Sequence, residues 1–320
     1  MKFTEKQLES MASSISATEE EKCKRAINMV RDALKEIDYL DDDRDIYLEN
    51  SDTLSYIINM RKKETNVRIK LLIQGSYANK TNISSESDVD IAVILESTFL
   101  PQFRTGITNE SYGFSEGTFS AFDLKDDVER ALKGHFGSTA VERHDKSIKV
   151  IGNTYRVDSD IVPAYRYRDY SLDYLIRASN YTKGIMIISD NGERIINYPE
   201  QHIENGIAKN KQTNYKYKKM VRIIKNMKEL MKKNNITIPT EVSSFGLESL
   251  LWNVPDSVFV RYFSLRFVFD EVIQYLLNDV KNYYNYKEAN GIKPLFSDTS
   301  VGIAYQQFII SLSSFYDYDI

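Results

Sequence analysis

The stretch that most constrains the fold is residues 74–93, QGSYANKTNISSESDVDIAV. A Gly-Ser pair, Gly75-Ser76, follows the β-like run Val67 to Gln74. After a polar loop, Asp88 and Asp90 bracket Val89, and Ile91-Ala92-Val93-Ile94-Leu95 continues the run. In a strand, side chains alternate between faces. Asp88, Asp90 and Ala92 then share one face, and Val89, Ile91 and Val93 share the other. The apolar face can sit on a core while the acidic face opens to solvent. Two carboxylates on neighbouring same-face positions repel each other unless something positive lies between them. Mg²⁺ takes oxygen ligands in tight octahedral geometry, usually one or two carboxylates plus substrate phosphates. The pattern therefore predicts a metal–nucleotide site, with Gly75-Ser76 placed to hold phosphates. The competing reading is a polar strand end with capping aspartates. Against it stand the Gly-Ser pair after a strand, the turn-forming Asn79, Thr81 and Asn82, and a second acidic strand downstream.

The chain has 320 residues, 42% of them hydrophobic, enough for one large or two intimate domains with a real core. Its net charge is −4. A protein that grips long nucleic acid usually carries a basic surplus, so that partner is not expected. One cysteine, Cys23, excludes a disulfide framework. With no signal-peptide pattern, it predicts a reducing, cytoplasmic setting. No apolar run approaches a membrane span. Three histidines leave little for a His-rich metal site or a serine-type triad.

Thr18 to Glu21 reads as a capping box, and Ala26, Ile27, Val30, Ala33, Leu34 and Ile37 follow at helical spacing. A helix is predicted over Thr18 to Asp38, ended by a solvated acidic loop at Asp41-Asp42-Asp43. A second helix is predicted over Asp52 to Lys62 and another over Phe119 to Phe136. Short strands are expected at Ala140 to Arg143 and Ser147 to Ile151, with a turn at Gly152-Asn153. The next strand, Thr154 to Val162, carries Asp158 and Asp160 on one face and ends at Pro163. A hairpin is expected from Ile185 to Asn197 across Asp190-Asn191-Gly192. After Pro199 the chain reads as helical: Asn214 to Lys233, Val242 to Asn253, Asp256 to Tyr284 and Thr299 to Ser313. The pattern predicts an α+β protein of two lobes, residues 1–198 and 199–320. On the helix at Asn214 to Lys233, Lys218, Arg222 and Lys225 share the face opposite an apolar stripe. They read equally as a solvated basic face or as a cationic wall facing polyphosphate across a cleft.

With Gly75-Ser76, Asp88-Val89-Asp90 and Asp160-Ile161-Val162-Pro163-Ala164 in hand, the chain resembles the polymerase-β-like nucleotidyltransferases. It is most similar to the bacterial cyclic-oligonucleotide synthases related to cyclic GMP-AMP synthase and oligoadenylate synthase. NYPEQHIENG before the basic helix and SSFGLESLLWNVP after it add to the likeness, which runs from about Thr18 to Pro294. The resemblance implies a two-lobed fold with a mixed sheet and a helical lobe closing the nucleotide cleft. It implies that Gly75 and Ser76 hold a triphosphate and that Asp88, Asp90 and Asp160 bind two Mg²⁺, with Mn²⁺ as a possible substitute. Asp158 lies on the same strand face, and the IVPA that follows Asp160 favours Asp160. Lys225 would contact phosphate, and Ser243 or Ser244 would lie near the donor nucleotide. The implied activity joins NTPs, ATP and GTP first, into a cyclic dinucleotide or short cyclic oligonucleotide. Pyrophosphate leaves, and a separate effector protein senses the product in anti-phage signalling. An antibiotic-type nucleotidyltransferase, an RNA-tailing enzyme and a retired, non-catalytic binding module are the rivals.

Overall fold

The computed structural model describes residues 2–42, 46–48, 50–83, 88–117 and 121–317. The expected loop residue Asp43, the start of the expected helix at Phe119 and residues 84–87 of the Gly-Ser to DxD stretch lie outside them. The first part of the chain runs α1 (Glu5–Ala12), α2 (Ala17–Lys35), β1 (Tyr39–Asp41), β2 (Tyr47–Leu48), β3 (Tyr56–Lys62), β4 (Arg68–Gln74), α3 (Gly75–Ala78) and β5 (Val89–Gln102). Then come α4 (Ala121–Phe136), β6 (Val141–Arg143), β7 (Ile148–Val150), β8 (Ser159–Asp169), β9 (Thr182–Ile188) and β10 (Arg194–Asn197). Helices complete it: α5 (Pro199–Gln212), α6 (Tyr217–Lys233), α7 (Ser244–Trp252), α8 (Asp256–Val260), α9 (Leu265–Asn278) and α10 (Thr299–Asp317).

The chain divides into two compact units. One is Ser16–Ala78 with Ser85–Pro199; the other is Met1–Ile15, Asn79–Ser84 and Glu200–Ile320. The helical unit thus takes in the first fifteen residues, which the sequence placed with the sheet, because α1 packs on α6 and α9.

In the sheet unit the strand order is β1-β3-β4-β5-β8-β7-β6, with β2 on β3, β9 on β8 and β10 on β9. Among the described pairings only β5 with β8 is parallel; the rest are antiparallel, so the sheet is mixed. Cys23, Ala26, Ile27, Val30, Ala33 and Leu34 of α2 are buried, as are Leu124, Val128, Ala131 and Leu132 of α4. These two helices pack on each other and on the sheet. Each fully buried Val, Leu or Ile contributes about 1.5–3 kcal/mol, so this layer fixes the sheet's register. The helical unit has its own core, centred on α6, α7, α9 and α10.

Several elements differ from expectation for identifiable reasons. Helix α2 starts earlier: Ser16 and Glu19 form the capping box, winning over the overlapping Thr18–Glu21 pair. The predicted helix at Asp52 to Lys62 is a strand, β3, held between β1 and β4, with the β-branched neighbours Ile57 and Ile58 both buried, one on each face of the sheet. In the acidic loop, Asp41 pairs with Lys35 at 2.6 Å and Asp42 donates its N–H to Asn59 O, so both join the sheet's edge. Strand β8 starts later and does not end at Pro163. Residues 159–161 pair with β7 and residues 165–169 with β9, so the proline falls where the strand changes partners and one ladder donor is not required. The expected helix Asp256 to Tyr284 breaks into α8, α9 and a 3-10 turn at Val280–Asn285. Glu5 from α1 causes one break. Its carboxylate accepts from the N–H groups of Leu265 and Arg266 at 2.7 and 3.0 Å, and so starts α9.

Candidate active site

Strand β4 ends at Gln74 and turns directly into the four-residue α3. The turn needs Gly75 on two counts. Its φ of +71° is strained for other residues, and a Cβ there would meet Asp90 Oδ2 at 2.4 Å. The Asp90 carboxylate therefore lies against the Gly75 backbone. Gln74 pairs with Asp90 across β4 and β5. On the other side of β5, Asp90 is the direct register partner of Asp160 in the parallel β8. Beyond these acids the strand closes: Ile91 to Leu95 are all buried on both faces.

Burial, with the carboxylates of Asp160 and Asp88 adding to it, pushes Asp90 up to about 7. Burial and Asp88 raise Asp160 as well, against the opposing pull of Lys149 and His144. The acids thus feel one another's charge across two adjacent strands.

The structure separates Asp160 from Asp158. Asp158 lies just before β8, where its carboxylate accepts from Gly152 N–H at 2.5 Å and meets Lys149 at 3.4 Å. Its backbone oxygen accepts from Val89 N–H. It is a fastener of the β7–β8 turn. Asp160 is the one aligned with Asp90.

Sequence reasoning missed Lys149. It sits opposite Asp160 in the β7–β8 ladder, and its ammonium reaches Asp88 at 2.8 Å. It provides part of the positive charge that the paired aspartates demand. A lone lysine between Ile148 and Val150, in a strand flanking the acidic one, was the available signal. An open pocket of about 490 Å³ adjoins this cluster, lined by Asp88, Asp160, Lys149 and the turn residues His144 to Ser147.

Among the described residues no three His, Cys, Asp or Glu groups converge as a ready-made metal cage. The donor set fits a hard divalent cation that draws its remaining ligands from phosphate. It offers carboxylate oxygens from Asp88, Asp90 and Asp160, where burial and then the neighbouring acids raise Asp90 and Asp160, and a glycine where any side chain would displace Asp90.

The basic helix is neither a solvated face nor an open cationic wall. Lys218, Arg222 and Lys225 are all buried. Lys225 Nζ donates to Thr81 O at 3.1 Å and lies 3.3 Å from Glu248 Oε2. Glu248 also accepts from Thr81 Oγ1 at 2.6 Å and meets His202 Nε2 at 2.9 Å. Burial would raise the Glu248 carboxyl, but Lys225 and His202 overcome it and hold it at about 2. Arg222 donates to Ala12 O at 2.7 Å and to Lys80 O. Lys225 is therefore engaged within the helical unit, where it holds the loop that follows Ala78. In the same loop the amides of Asn79 and Asn82 are buried and meet no hydrogen-bond partner among the described residues. Ser243 is the N-cap of α7, its Oγ accepting from Gly246 N–H at 2.9 Å. Ser244 is exposed at the first turn.

The fold and the acid-x-acid strand beside a third acid define a nucleotidyltransferase architecture. Residues 204–318 match the model of the cGAS/DncV-like nucleotidyltransferase C-terminal helical domain. The chain is 41% identical over 318 residues to the cyclic GMP-AMP synthase CdnE03 of Staphylococcus schleiferi, covering 99% of this chain and 98% of that one. It is 33% identical over 294 residues to the cyclic dipyrimidine nucleotide synthase CdnE of Cecembia lonarensis, covering 92% and 90%. Among solved structures it superposes on the Rhodothermus marinus CdnE c-UMP-AMP synthase, determined with Apcpp and Upnpp. That match has a TM-score of 0.78, 28% identity and 99% coverage of both chains. The chain belongs to the bacterial cGAS/DncV-like nucleotidyltransferases and is an enzyme of that class.

Proposed function

We propose that this enzyme joins two NTPs into a cyclic dinucleotide, or a short cyclic oligonucleotide, and releases pyrophosphate. The observation that carries the reading is the side-by-side placement of Asp90 and Asp160 on parallel strands, with Asp88 two residues away and Gly75 against Asp90. A 2′- or 3′-hydroxyl of one nucleotide attacks the α-phosphorus of another, and a second transfer within the linear product closes the ring. Asp88, Asp90 and Asp160 would hold Mg²⁺, which when bound supplies charge neutralisation and activation of the attacking oxygen. Gly75 gives Asp90 its approach, and Gly75-Ser76 faces the triphosphate in this reading. Lys149 pairs with Asp88 at 2.8 Å and offsets part of the acids' negative charge. Catalysis is then mainly positioning and charge stabilisation. The relatives' names support ring formation and disagree about bases, spanning GMP-AMP, dipyrimidine and UMP-AMP products. ATP and GTP are the proposed substrates on the likeness to the first of these. We place the product upstream of a separate effector in anti-phage signalling, without long nucleic acid and without a membrane; among the described residues no helix is long and apolar enough to cross one.

The test is incubation of purified protein with labelled ATP, GTP, CTP and UTP and Mg²⁺, resolved before and after phosphatase. A phosphatase-resistant product from NTPs alone is expected. A ladder of linear oligomers, or activity that appears only with RNA, would replace this reading with a tailing enzyme. A nucleotidyl group on a non-nucleotide acceptor would favour the antibiotic-type enzyme.

A further inference from the structure

The helical unit holds a second cavity that the nucleotide chemistry does not use. It measures about 340 Å³ and lies between the Val280–Asn285 turn and the start of α10. Tyr283, Tyr284, Phe296, Ile303, Asp298 and Gly302 line it. Small-molecule sites run from about 300 Å³ upward, mostly apolar with a few placed polar groups. One wall is rigid: Tyr283 stacks on Phe296 with centroids 5.5 Å apart, and Phe296 meets Tyr305 at 5.2 Å. At the mouth, Tyr284 and Ile303 are 79% and 47% exposed, apolar area that a bound ring would cover. Gly302 keeps the space open, since an added Cβ would touch only the Phe296 ring at 3.9 Å.

Asp298 gives the cavity a charge. Its Oδ1 accepts from the N–H groups of Ser300 and Val301 and from Ser300 Oγ, while Oδ2 accepts from Ser297 Oγ at 3.1 Å. Each carboxylate oxygen has two lone pairs and Oδ2 takes only one of these bonds, so Oδ2 retains capacity for a ligand donor.

The wall leads elsewhere in the same unit. Tyr305 Oη accepts the Ser243 N–H at 3.2 Å and lies 1.6 Å from where a Gly246 Cβ would be, so it fixes the start of α7. Helix α7 carries Glu248, which holds Thr81. We propose that this cavity binds a planar one- or two-ring heterocycle with a cationic or donor-rich edge. Its ring lies against Tyr283 and Phe296, its edge meets Asp298, and its binding firms the α7 start and the loop at Thr81.

The test uses the full chain with 2-aminobenzimidazole, a planar cationic bicycle, and indole, an uncharged one of similar size. Calorimetry should show saturable binding, with the cationic bicycle about tenfold tighter. Gly302→Leu, which fills the cavity and favours the helix, should weaken both about tenfold or more. Asp298→Asn keeps a capping side chain and should weaken only the cationic bicycle, by about tenfold. Hydrogen exchange of residues 79–83 and 243–250 should slow about threefold on binding. No saturable binding, or binding that survives Gly302→Leu, overturns the site. Equal affinity for the two bicycles overturns the role of Asp298. Binding without slowed exchange overturns the coupling. None of these readouts depends on catalysis, so they stand apart from the proposed reaction.

Discussion

Asp88, Asp90 and Asp160 in the sheet unit and Lys225, Glu248 and His202 in the helical unit are both ionic clusters, built to opposite ends. In the helical unit, each charge is buried and answered: Glu248 meets Lys225, His202 and Thr81, and its carboxyl falls to about 2. In the sheet unit, Lys149 answers Asp88, while burial, with the charges of Asp160 and Asp88 adding to it, raises Asp90 to about 7. Compensation marks a structural brace; the sheet cluster keeps an excess of negative charge, which is where Mg²⁺ is proposed to bind. The direction of the carboxyl shift distinguishes the two where residue type does not.

The largest expected effect breaks the brace. Glu248→Ala leaves the buried Lys225 ammonium unanswered and should cost about 3–5 kcal/mol of stability, read by urea unfolding. The carboxyl's folded value lies below its unfolded one. Its contribution is therefore full above about pH 4.5 and is lost as pH falls toward about 2, on the order of 3 kcal/mol. Wild type should lose stability over that window, and Glu248→Gln should lose less. A Glu248→Ala protein as stable as wild type would show that the cluster is no brace.

Next, Asp90→Asn and Asp160→Asn should each lower turnover by about 10²–10³ or more while holding or raising Tm, because like charges are relieved. A large fall in Tm would place these acids with the brace. Lys149→Met should come third. Removing one positive charge beside the acids should lower the Mg²⁺ concentration for half-maximal activity about three- to tenfold, in a metal titration. A higher requirement would show that Lys149 chiefly positions Asp88. The smallest effect is expected from Asp158→Asn, within about threefold of wild-type turnover, since its carboxylate fastens a turn. Loss of activity matching Asp160→Asn would exchange their roles.

The acidic site was legible because its information is local. Period-two alternation placed Asp88 and Asp90 on one strand face, and the Gly-Ser pair ahead of them was expected to hold phosphates; that Gly75 also admits the Asp90 carboxylate is seen only in the structure. The brace was not legible: Thr81, His202, Lys225 and Glu248 meet only through tertiary packing, so a lysine row at helical spacing looked like surface. Helix α2 began two residues early because two capping boxes overlap and only packing chooses between them. Strand β3 was mistaken for a helix because periodicity alone does not tell a short apolar run in a strand from one in a helix. The break before α9 depends on Glu5, roughly 260 positions away, and no local pattern records it.

The parallel pairing of β5 with β8 also sets the order in which the acids can meet. Asp90 and Asp160 are neighbours in the sheet and about 70 positions apart in the chain. Contacts of such long sequence separation form slowly and only after loop-closure entropy has been overcome. A chain leaving the ribosome can pair β3, β4 and β5 by adjacent hairpins and so present Asp88 and Asp90 early. Asp160 joins them only after β8 has emerged and docked. On the proposed assignment, a chain that ends before β8 lacks one of the three acids of the site.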